Sequence, residues 1–370
     1  MDMFHKEPAP VWNSSTSMDV LAVAHELPGE PITTEDLLRH VDNQFGADIA
    51  RKGRIYADKL GIHTRHLSRD LRERLERPRA GHRNPELAAT AVRKALDSAE
   101  ISIKDVAYLV GHTATPAMPM PSNIALVADE LGYLGPHAEF RQACTGFANA
   151  LVFASGLVAS GCSGPIVIVG SETGSAFFDP ERLRADAGQL VNLVQMGDAA
   201  AAIVLQGTSG NGGSIAGSRL GALSNVYYGQ IGSGRAPGFC LPHGGSDCAH
   251  APDGILEFSH AFGDVRENGP ELFVAGLRAA ASVGLDPFSM DYLLPHQANG
   301  HMAPLMAQHL GVDADTVVVN ADKVGNTGSA AIWLALSQII GEMKSGERLL
   351  ALGAEATKYM FGGFMYQHAE

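Results

Sequence analysis

The run Glu139-Phe-Arg-Gln-Ala-Cys-Thr-Gly-Phe-Ala-Asn-Ala-Leu-Val-Phe-Ala-Ser-Gly156 decides the fold class and points to the chemistry. A strand-like stretch ends in Cys-Thr-Gly, and a long run of small and apolar residues that favours a helix follows at once. The turn therefore places the Cys144 thiol at the first turn of a helix. Free backbone N–H groups and the positive end of the helix dipole favour a thiolate there, and a thiolate is a nucleophile. The alternative is a buried structural cysteine, the usual state of an unpaired cysteine.

The strands on either side of this run recur later in the chain, which indicates an internal duplication. Asp105-Val-Ala-Tyr-Leu-Val-Gly-His112 is echoed by Met290-Asp-Tyr-Leu-Leu-Pro-His296. Cys144 follows the first histidine by 32 positions, and Asn326 follows the second by 30. Each is succeeded by a run of small and apolar residues and then by a strand that ends in a glutamate. Three matched landmarks at nearly equal spacing predict two copies of one α/β unit.

The predicted limits of these units are residues 18–210 and 211–370, after a flexible N-terminal tail over residues 1–17. Short, continuous apolar strands that alternate with helices predict sheets covered on both faces. Two such units packed back to back give a five-layered αβαβα arrangement. Chemistry in α/β units gathers where strands end and helices begin. We therefore expect Cys144 of one unit to face His296 and Asn326 of the other.

Cys144, His296 and Asn326 suit acyl transfer followed by carbon–carbon bond formation. A thiolate accepts an acyl group as a thioester. An imidazole N–H and an amide NH₂ that converge on one point stabilise a carbonyl oxygen as it becomes an enolate. Taken singly, His296 could be an ordinary turn residue and Asn326 a residue chosen for its backbone conformation. The prediction therefore depends on the set of three.

Composition and cysteine usage exclude several classes of protein. The four cysteines among 370 residues are too few and too irregularly spaced for a disulfide framework, which favours the cytoplasm. Nowhere do 18 apolar residues run together, so we predict no membrane span, and the N-terminus lacks the apolar core of a signal peptide. A glycine-rich loop contains a conceivable zinc site, but chance clustering is the simpler interpretation and we predict no metal; its residues are Cys240, His243, Cys248 and His250.

The formal net charge of −13 is unevenly distributed. Residues 51–83 contain eleven Lys or Arg against four acids, a local charge of +7 that leaves −20 on the rest of the chain. Aromatic residues are not interleaved with these cations, so the segment does not indicate nucleic-acid binding. It could steer an acidic partner or a phosphate-bearing substrate. A solvated helix face is the alternative.

Three motifs resemble the active-site motifs of the β-ketoacyl-acyl-carrier-protein synthase III family, in the thiolase superfamily. They are Cys144-Thr-Gly-Phe, His296-Gln-Ala-Asn299 and Gly325-Asn326-Thr327, and Met196-Gly-Asp-Ala is similar to the Gly-Asp-Gly-Ala entry of that family. The resemblance implies a thiolase fold and a homodimer. It also implies acyl transfer onto Cys144 from coenzyme A or from the phosphopantetheine of acyl carrier protein, without a resident cofactor.

The same resemblance implies the second half of the reaction. A malonyl- or β-ketoacyl-thioester would condense with the acyl group on Cys144, while His296 and Asn326 bind its thioester carbonyl. The backbone N–H of Cys144 and one from the loop near Glu355 would form an oxyanion hole for the first step. The donor would arrive through residues 51–83, as acyl carrier protein or as acyl-coenzyme A.

Substrate binding is assigned by the resemblance to Lys59, Asn299 and Met120. Lys59 ends the segment Ile55-Tyr-Ala-Asp-Lys59, where the family has Trp-x-x-x-Arg, so a cation remains but the stacking tryptophan is absent. This departure favours delivery by a carrier protein. Met120 is expected to form the flexible wall of an acyl pocket, in its own subunit or across the dimer. His301 replaces the basic residue that usually follows the His-Gln-Ala-Asn motif.

Two further departures concern accessory residues. Gly353-Ala-Glu-Ala-Thr-Lys-Tyr-Met360 replaces a glycine-rich loop and places Glu355 where a residue without a side chain usually approaches the thioester. That carboxylate is either paired structurally or available for a second proton transfer such as a ring closure. Arg141 and Gln142 precede the nucleophile where small apolar residues are usual. One of them should face the core of a buried strand and be paired there. Its role would be a dimer-interface contact or a core salt bridge, or else binding of the carbonyl of a β-keto substrate.

These departures suggest a specialised branch of the family. The Gly-Ala-Glu-Ala-Thr-Lys-Tyr-Met ending resembles the ketosynthase/cyclase enzymes that form dialkylresorcinols and cyclohexanediones. The olefin-pathway branch has a glutamate in its acyl-channel segment, and the matching residues 113–122 contain none. The predicted function is therefore a Claisen condensation, with or without cyclisation. The alternatives are housekeeping fatty-acid initiation, acyl transfer to an alcohol or amine, and a non-catalytic partner subunit.

Overall fold

The strands and helices come from a computed structural model that describes residues 11–69, 78, 80–208, 219–232, 234–250, 254 and 256–369. The strands are β1 Val11–Ser14, β2 Met18–Glu26, β3 Ile32–Thr33, β4 Thr64–Arg65, β5 Tyr108–His112, β6 His137–Phe140, β7 Ile166–Glu172, β8 Ala199–Gly207, β9 Gly221–Gln230, β10 Phe239–Cys240, β11 Ser259–His260, β12 Tyr292–Pro295, β13 Arg348–Glu355 and β14 Met360–His368. The helices are α1 Thr34–Phe45, α2 Ala47–Leu60, α3 Asn84–Ser98, α4 Asn123–Leu131, α5 Gly146–Ala159, α6 Ala187–Gln195, α7 Phe262–Ser282, α8 Met302–Leu310, α9 Ala321–Val324 and α10 Ala331–Ile339.

The two halves of the chain repeat one strand order. In the first half the order is β6-β5-β7-β8-β2, and in the second half β12-β13-β14-β9 follows the same pattern. The position next to β12 is taken by Val317, which forms a parallel bridge with Leu293 just as β6 pairs in parallel with β5. Short antiparallel pairing of β2 with β9 joins the halves edge to edge. Both halves thus have the topology that the sequence repeat predicts.

Five layers follow from the alternation of side chains along the strands. Ile166 and Ile168 of β7 and Leu349 and Ala351 of β13 face one shared core, which also contains α5 and α10. Their neighbours Val167 and Val169 face a second core with α3 and α4. Leu350 and Leu352 face a third core with α7 and α8. The order is therefore helices, sheet, central helices, sheet, helices, and the predicted αβαβα fold is confirmed.

Aromatic packing fixes the central helical layer. Trp333 of α10 is fully buried, stacks on Phe364 of β14 and meets Phe147 of α5 edge to face. Its indole Nε1–H donates to Nε2 of His112, 3.2 Å away, at the end of β5. Burial of an indole with its N–H satisfied is favourable, so this contact ties both halves together at the level of the strand ends.

The structure corrects one predicted boundary and does not describe the other. Val11–Ser14, which the sequence placed in a flexible tail, form β1 and pair antiparallel with β9. The exposed edge of β9 offers unpaired backbone groups, and pairing satisfies them. Residues 1–10 and the predicted boundary between residues 210 and 211 lie outside the described residues. The domain limits therefore stay predictions.

Candidate active site

The nucleophile turn lies between β6 and α5. β6 ends at Phe140, Thr145 is the N-cap residue of α5, and Cys144 immediately precedes that cap. Cys144 lines a cavity of about 160 Å³ together with His296 and Asn326. The structure thus brings together, from the two halves of the chain, the three side chains that the sequence selected.

The expected thiolate at Cys144 is not supported. Burial raises the pKa of the Cys144 thiol well above its usual value, and the nearby carboxylates of Glu355 and Glu172 raise it further. The backbone N–H of Cys144 acts in the opposite direction but is the weakest of these influences. Desolvation and negative neighbours both disfavour an anion. In the resting protein Cys144 is therefore a neutral thiol that needs a proton acceptor.

His296 lines the same cavity as Cys144. It follows β12, its backbone N–H donates to the Leu352 carbonyl at 2.8 Å, and its side chain is buried. Burial lowers the pKa of His296 to about 4, so the imidazole is neutral at pH 7. Its Nδ1 has no hydrogen-bond partner among the described residues. A neutral imidazole has one lone pair and one N–H, and can therefore accept a proton or donate a hydrogen bond according to its tautomer.

Asn326 is held by backbone contacts with the end of α6. Its N–H donates to the Gln195 carbonyl at 2.9 Å, and its carbonyl accepts from the Gly197 N–H at 3.1 Å. Gly325 allows this approach, because it has φ of +73° and a Cβ there would lie 3.0 Å from Gln195 O. The Asn326 Oδ1 accepts from the Gly328 N–H at 3.1 Å. That bond orients the amide so that its NH₂ is the end available to a substrate oxygen.

The C-terminal end of α6 contacts both the segment that follows His296 and the segment that contains Asn326. The sequence motifs did not reveal this role. Gln195 Nε2 donates to the Ala298 carbonyl at 2.9 Å, two residues beyond His296. Arg65 Nη2 donates to the Val194 carbonyl at 2.9 Å from a fully buried position. Burial lowers the pKa of Arg65 to about 10, which still leaves it charged. A cation at a helix C-terminus is favourable, and the sequence signal was only the Gln that precedes Met196-Gly-Asp.

Glu355 is paired structurally and also borders the cavity. Its Oε2 accepts from the Thr145 N–H at 2.8 Å and from the Thr145 hydroxyl at 2.7 Å. Its Oε1 accepts from the Thr357 hydroxyl and, at 3.4 Å, from the Ala143 N–H. The side chain is 2% exposed and lines the cavity beside Cys144. The carboxylate therefore fixes the nucleophile turn at the N-terminus of α5, where an anion is favourable.

Glu172 plays the corresponding role from the first half of the chain, because it binds a turn of the second half. It accepts from the Ala114 N–H at 2.9 Å, from the Thr115 hydroxyl and from the Ser329 hydroxyl. Ser329 lies just beyond Asn326 at the start of the segment that leads into α10. Burial raises the pKa of Glu172. Each half thus contributes a glutamate that binds the turn at the start of the other half's central helix.

A second, outer cavity of about 760 Å³ adjoins the first. The two share Ala143 and Glu355, so they meet beside Cys144. Gln142 lines the outer cavity and donates from Nε2 to the hydroxyls of Thr145 and Tyr228, both at 2.9 Å. Sequence reasoning singled out Gln142 but missed Tyr228, because nothing in the β9 sequence marks it.

Arg141 does not face a buried strand. It follows the end of β6, is exposed and forms an ion pair with Glu139 at 3.2 Å. It lines the outer cavity. The prediction that one of Arg141 and Gln142 faces the core of a buried strand is wrong, because β6 ends at Phe140, before either residue. Gln142 is instead hydrogen-bonded to the hydroxyls of Thr145 and Tyr228.

Three predicted substrate-binding residues line neither cavity. Met120 is 85% exposed and lines neither cavity of the single chain. Asn299 accepts from the His301 N–H at 2.8 Å, and Lys59 is exposed near the end of α2. Their roles in substrate binding stay predictions.

The basic segment 51–83 is less uniform than its composition suggested. Arg65 and Arg69 are buried rather than exposed, and Arg69 donates to the Ala176 carbonyl at 3.4 Å. Arg51, Arg54 and Arg83 form ion pairs with Asp48, Glu35 and Glu86. Residues 70–77 and 79 lie outside the described residues. Arg65 and Arg69 therefore do not contribute positive charge to the surface of the segment, because they pack against the core.

Two findings concern metals and membranes. Within the described part of the chain there is no group of three or more His, Cys, Asp or Glu side chains placed to hold a metal ion. In the suspected zinc loop, His243 Nδ1 and Cys248 Sγ are 3.1 Å apart. No described helix is long and apolar enough to cross a membrane.

Comparison with known proteins agrees with this geometry. Residues 138–224 match the family of 3-oxoacyl-[acyl-carrier-protein] synthase III, and residues 280–364 match the C-terminal model of the same family. The β-ketoacyl-[acyl-carrier-protein] synthase III of Neisseria meningitidis serogroup A is 30% identical over 341 residues, covering 88% of this chain and 92% of that protein. The chain belongs to the 3-oxoacyl-[acyl-carrier-protein] synthase III family, and the predicted resemblance is confirmed.

Solved structures give the same fold. AbyA1, a tetronic acid condensing enzyme, is 27% identical with a TM-score of 0.79, covering 94% of this chain and 99% of that one. The 3-oxoacyl-(acyl carrier protein) synthase III of Pseudomonas aeruginosa PAO1 is 23% identical with a TM-score of 0.75, covering 96% and 99%. The protein is therefore an enzyme of the ketosynthase III class, built on the thiolase fold.

Proposed function

We propose that Cys144 accepts an acyl group as a thioester and that a malonyl- or β-ketoacyl-thioester then condenses with it. The observation that supports this most strongly is the common cavity lined by Cys144, His296 and Asn326, which come from the two halves of the chain. Family membership supports the same reaction type.

The acylation step is derived from the protonation states. Cys144 Sγ attacks the thioester carbonyl of the donor while its proton passes to the neutral imidazole of His296. The carbon–sulfur bond to the donor breaks, and the departing thiolate takes the proton back from His296. The net result is a new carbon–sulfur bond at Cys144 and a free donor thiol. The raised pKa of Cys144 makes this proton acceptor necessary.

The condensation step uses two hydrogen-bond donors, His296 and Asn326. The thioester carbonyl of the second substrate lies between an N–H of His296 and the NH₂ of Asn326, which stabilise the enolate oxygen. The enolate carbon attacks the acyl-Cys144 carbonyl, and Cys144 leaves and is reprotonated. With a malonyl substrate, loss of CO₂ generates the enolate. With a β-ketoacyl substrate, the acidic proton between its two carbonyl groups passes to water, and with either substrate water returns a proton to the departing Cys144 thiolate.

The finer proposal is a specialised branch in which cyclisation follows condensation. It is supported by the sequence departures around Glu355 and by the likeness to AbyA1, described as a tetronic acid condensing enzyme. The Glu355 carboxylate borders both cavities, beside the acyl-Cys144 that would form. Its hydrogen bonds to Thr145 and Thr357 show how it is held there.

Delivery and assembly are part of the same proposal. The activated acyl group arrives on coenzyme A or on the phosphopantetheine of acyl carrier protein, so the thioester itself supplies the driving force and no resident cofactor is required. Segment 51–83 receives the donor, the protein acts as a homodimer, and the reaction takes place in the cytoplasm. The missing family tryptophan at Ile55 supports the carrier protein as donor.

The experiment is a two-stage mass measurement. Purified protein is mixed with acyl thioesters of several chain lengths on each carrier, and the Cys144 peptide is examined for acyl mass. A malonyl- or β-ketoacyl-thioester is then added and products are identified. We expect an adduct that Cys144→Ala abolishes, followed by a carbon–carbon-bonded product. Transfer to an added alcohol or amine without such a product would establish the acyltransferase alternative instead.

A further inference from the structure

One wall of the outer cavity is a connected polar cluster, built from Gln142, Asn149 and Tyr228. Gln142 Nε2 donates to the Tyr228 hydroxyl at 2.9 Å, and Gln142 Oε1 accepts from Asn149 Nδ2 at 2.7 Å. Gln142 also donates to the Thr145 hydroxyl at 2.9 Å, next in the chain to Cys144. The cluster is therefore fixed to the nucleophile turn itself.

The Tyr228 hydroxyl retains a hydrogen bond that a better acceptor could take. Its O–H donates to the sulfur of Met360 at 2.9 Å, and a thioether is a weak acceptor. Burial raises the pKa of Tyr228, with the Glu355 carboxylate adding to the effect, so the hydroxyl stays protonated. An oxygen atom of a ligand would accept this hydrogen more strongly than sulfur does.

Apolar side chains also line the same cavity, among them Met118, Phe177, Leu241, Leu256 and Phe258. Such side chains bind carbon chains, whereas polar groups at defined points fix orientation and give specificity. The cavity thus combines apolar lining residues with a polar cluster beside the nucleophile turn.

We infer that the acyl substrate has an oxygen function, a hydroxyl or keto group, which Tyr228 and Asn149 bind after the acyl chain enters the outer cavity. This inference rests on the proposed function, because it needs an acyl group on Cys144. The Tyr228 hydroxyl donates to the substrate oxygen, and the side-chain carbonyl oxygen of Asn149 accepts from a substrate hydroxyl. The cluster is then a specificity determinant against plain alkyl chains.

A matched series of four-carbon thioesters tests the inference. The rate of Cys144 acylation is measured by mass for butyryl-coenzyme A and for its 2-, 3- and 4-hydroxy and 3-oxo analogues. Since a neutral hydrogen bond changes a rate about three- to tenfold, we expect at least one oxygenated analogue to react roughly tenfold faster than butyryl. Tyr228→Phe should bring that ratio close to one, and Asn149→Ala should lower it.

Tyr227→Phe is the control. Tyr227 is the neighbour of Tyr228 on β9 but belongs to the core with α7 and α8, and its hydroxyl donates to the Ala351 carbonyl at 3.4 Å. This variant should keep the wild-type ratio. The inference is overturned if no oxygenated analogue reacts faster than butyryl, or if the advantage survives Tyr228→Phe. Either result requires acylation to occur, whereas failure of the proposed function would show as no adduct with any thioester.

Discussion

At the residue scale, the state of Cys144 shows which electrostatic effect wins. A helix N-terminus stabilises an anion by about 0.3–1 kcal/mol, whereas burial of an ion costs several kcal/mol. Two carboxylates near the sulfur add to the cost. The sequence revealed the helix, but the burial and the neighbours depend on long-range packing of β13 and β7. That is why the place of Cys144 at the start of a helix could be predicted and the protonation state of its thiol could not.

Removal of the neighbouring charge should make Cys144 more reactive. Glu355→Gln takes away the stronger of the two carboxylate influences and Glu172→Gln the weaker, so each should lower the pKa of Cys144. We expect iodoacetamide to alkylate Cys144 at pH 8 fastest in Glu355→Gln, then in Glu172→Gln, then in the wild type. The measurement is the time course of carbamidomethylation of the Cys144 peptide. Mass analysis of this peptide separates alkylation of Cys144 from alkylation of the other free cysteines.

Glu271→Gln provides the control for this series. Glu271 is exposed, pairs with Arg235 and has no influence on the thiol, so its variant should match the wild type. If the Glu355 variant alkylates more slowly than the wild type, the carboxylate does not hold the thiol protonated.

At the element scale, both halves contain the same contact between the end of a strand and the turn before a helix, but in each case the strand and the helix come from different halves. β7 and β13 each end in a glutamate, and each glutamate binds the turn before the central helix of the other half. Sequence spacing revealed the repeat because strand and helix lengths are local properties. It could not reveal the exchange, which depends on how the halves pack. Likewise β1 was missed, since four residues of edge strand have little pattern of their own.

The duplicated histidine positions lead to a prediction about acid stability. His112 lies at the end of β5, in the position that corresponds to His296 after β12. The side chain of His112 is buried against Trp333, and burial lowers the pKa of His112 to about 3. The unfolded chain therefore binds a proton at His112 below pH 6.5 that the folded chain does not. This group's stabilising contribution is fully present above pH 6.5 and is lost progressively as the pH falls toward 3.

His112→Asn should remove this dependence. Between pH 6.5 and 5 the loss from one such group is about 2 kcal/mol, at about 1.4 kcal/mol per pH unit. We expect the variant to be less stable at pH 7, because the Trp333 N–H loses its partner, but to lose less stability on acidification. Urea unfolding at pH 7, 6 and 5 measures both. A slope equal to that of the wild type would mean that His112 is not neutral and buried in the folded state.

At the scale of the whole molecule, one core is shared by both halves. Side chains of β7, β13, α5 and α10 belong to it, and β2 pairs with β9 to join the sheets. The class of fold could be predicted because apolar strands and small-residue helices repeat in order. The outer cavity could not, since its wall combines residues from β9, the turn after β6 and the loop after β10 that no local pattern connects.

Truncation of Trp333 should destabilise the molecule as a unit. Trp333→Ala removes a fully buried indole with two aromatic neighbours, and such changes cost about 3–5 kcal/mol. Because the core is shared, both halves should unfold in one transition in denaturant, followed by circular dichroism. Trp12→Ala, at a 44% exposed position on β1, should cost far less. Equal losses, or separate transitions for the two halves, would contradict the shared core.

The central claim is that one half supplies the nucleophile and the other the groups that stabilise the attacking enolate. A single-turnover experiment on Asn326→Ala tests it most directly, by following the acyl-Cys144 adduct and the condensation product in the same sample. The adduct should still form, while product formation falls roughly 100- to 1000-fold, as expected for loss of one oxyanion donor. Condensation at the wild-type rate in this variant would contradict the claim.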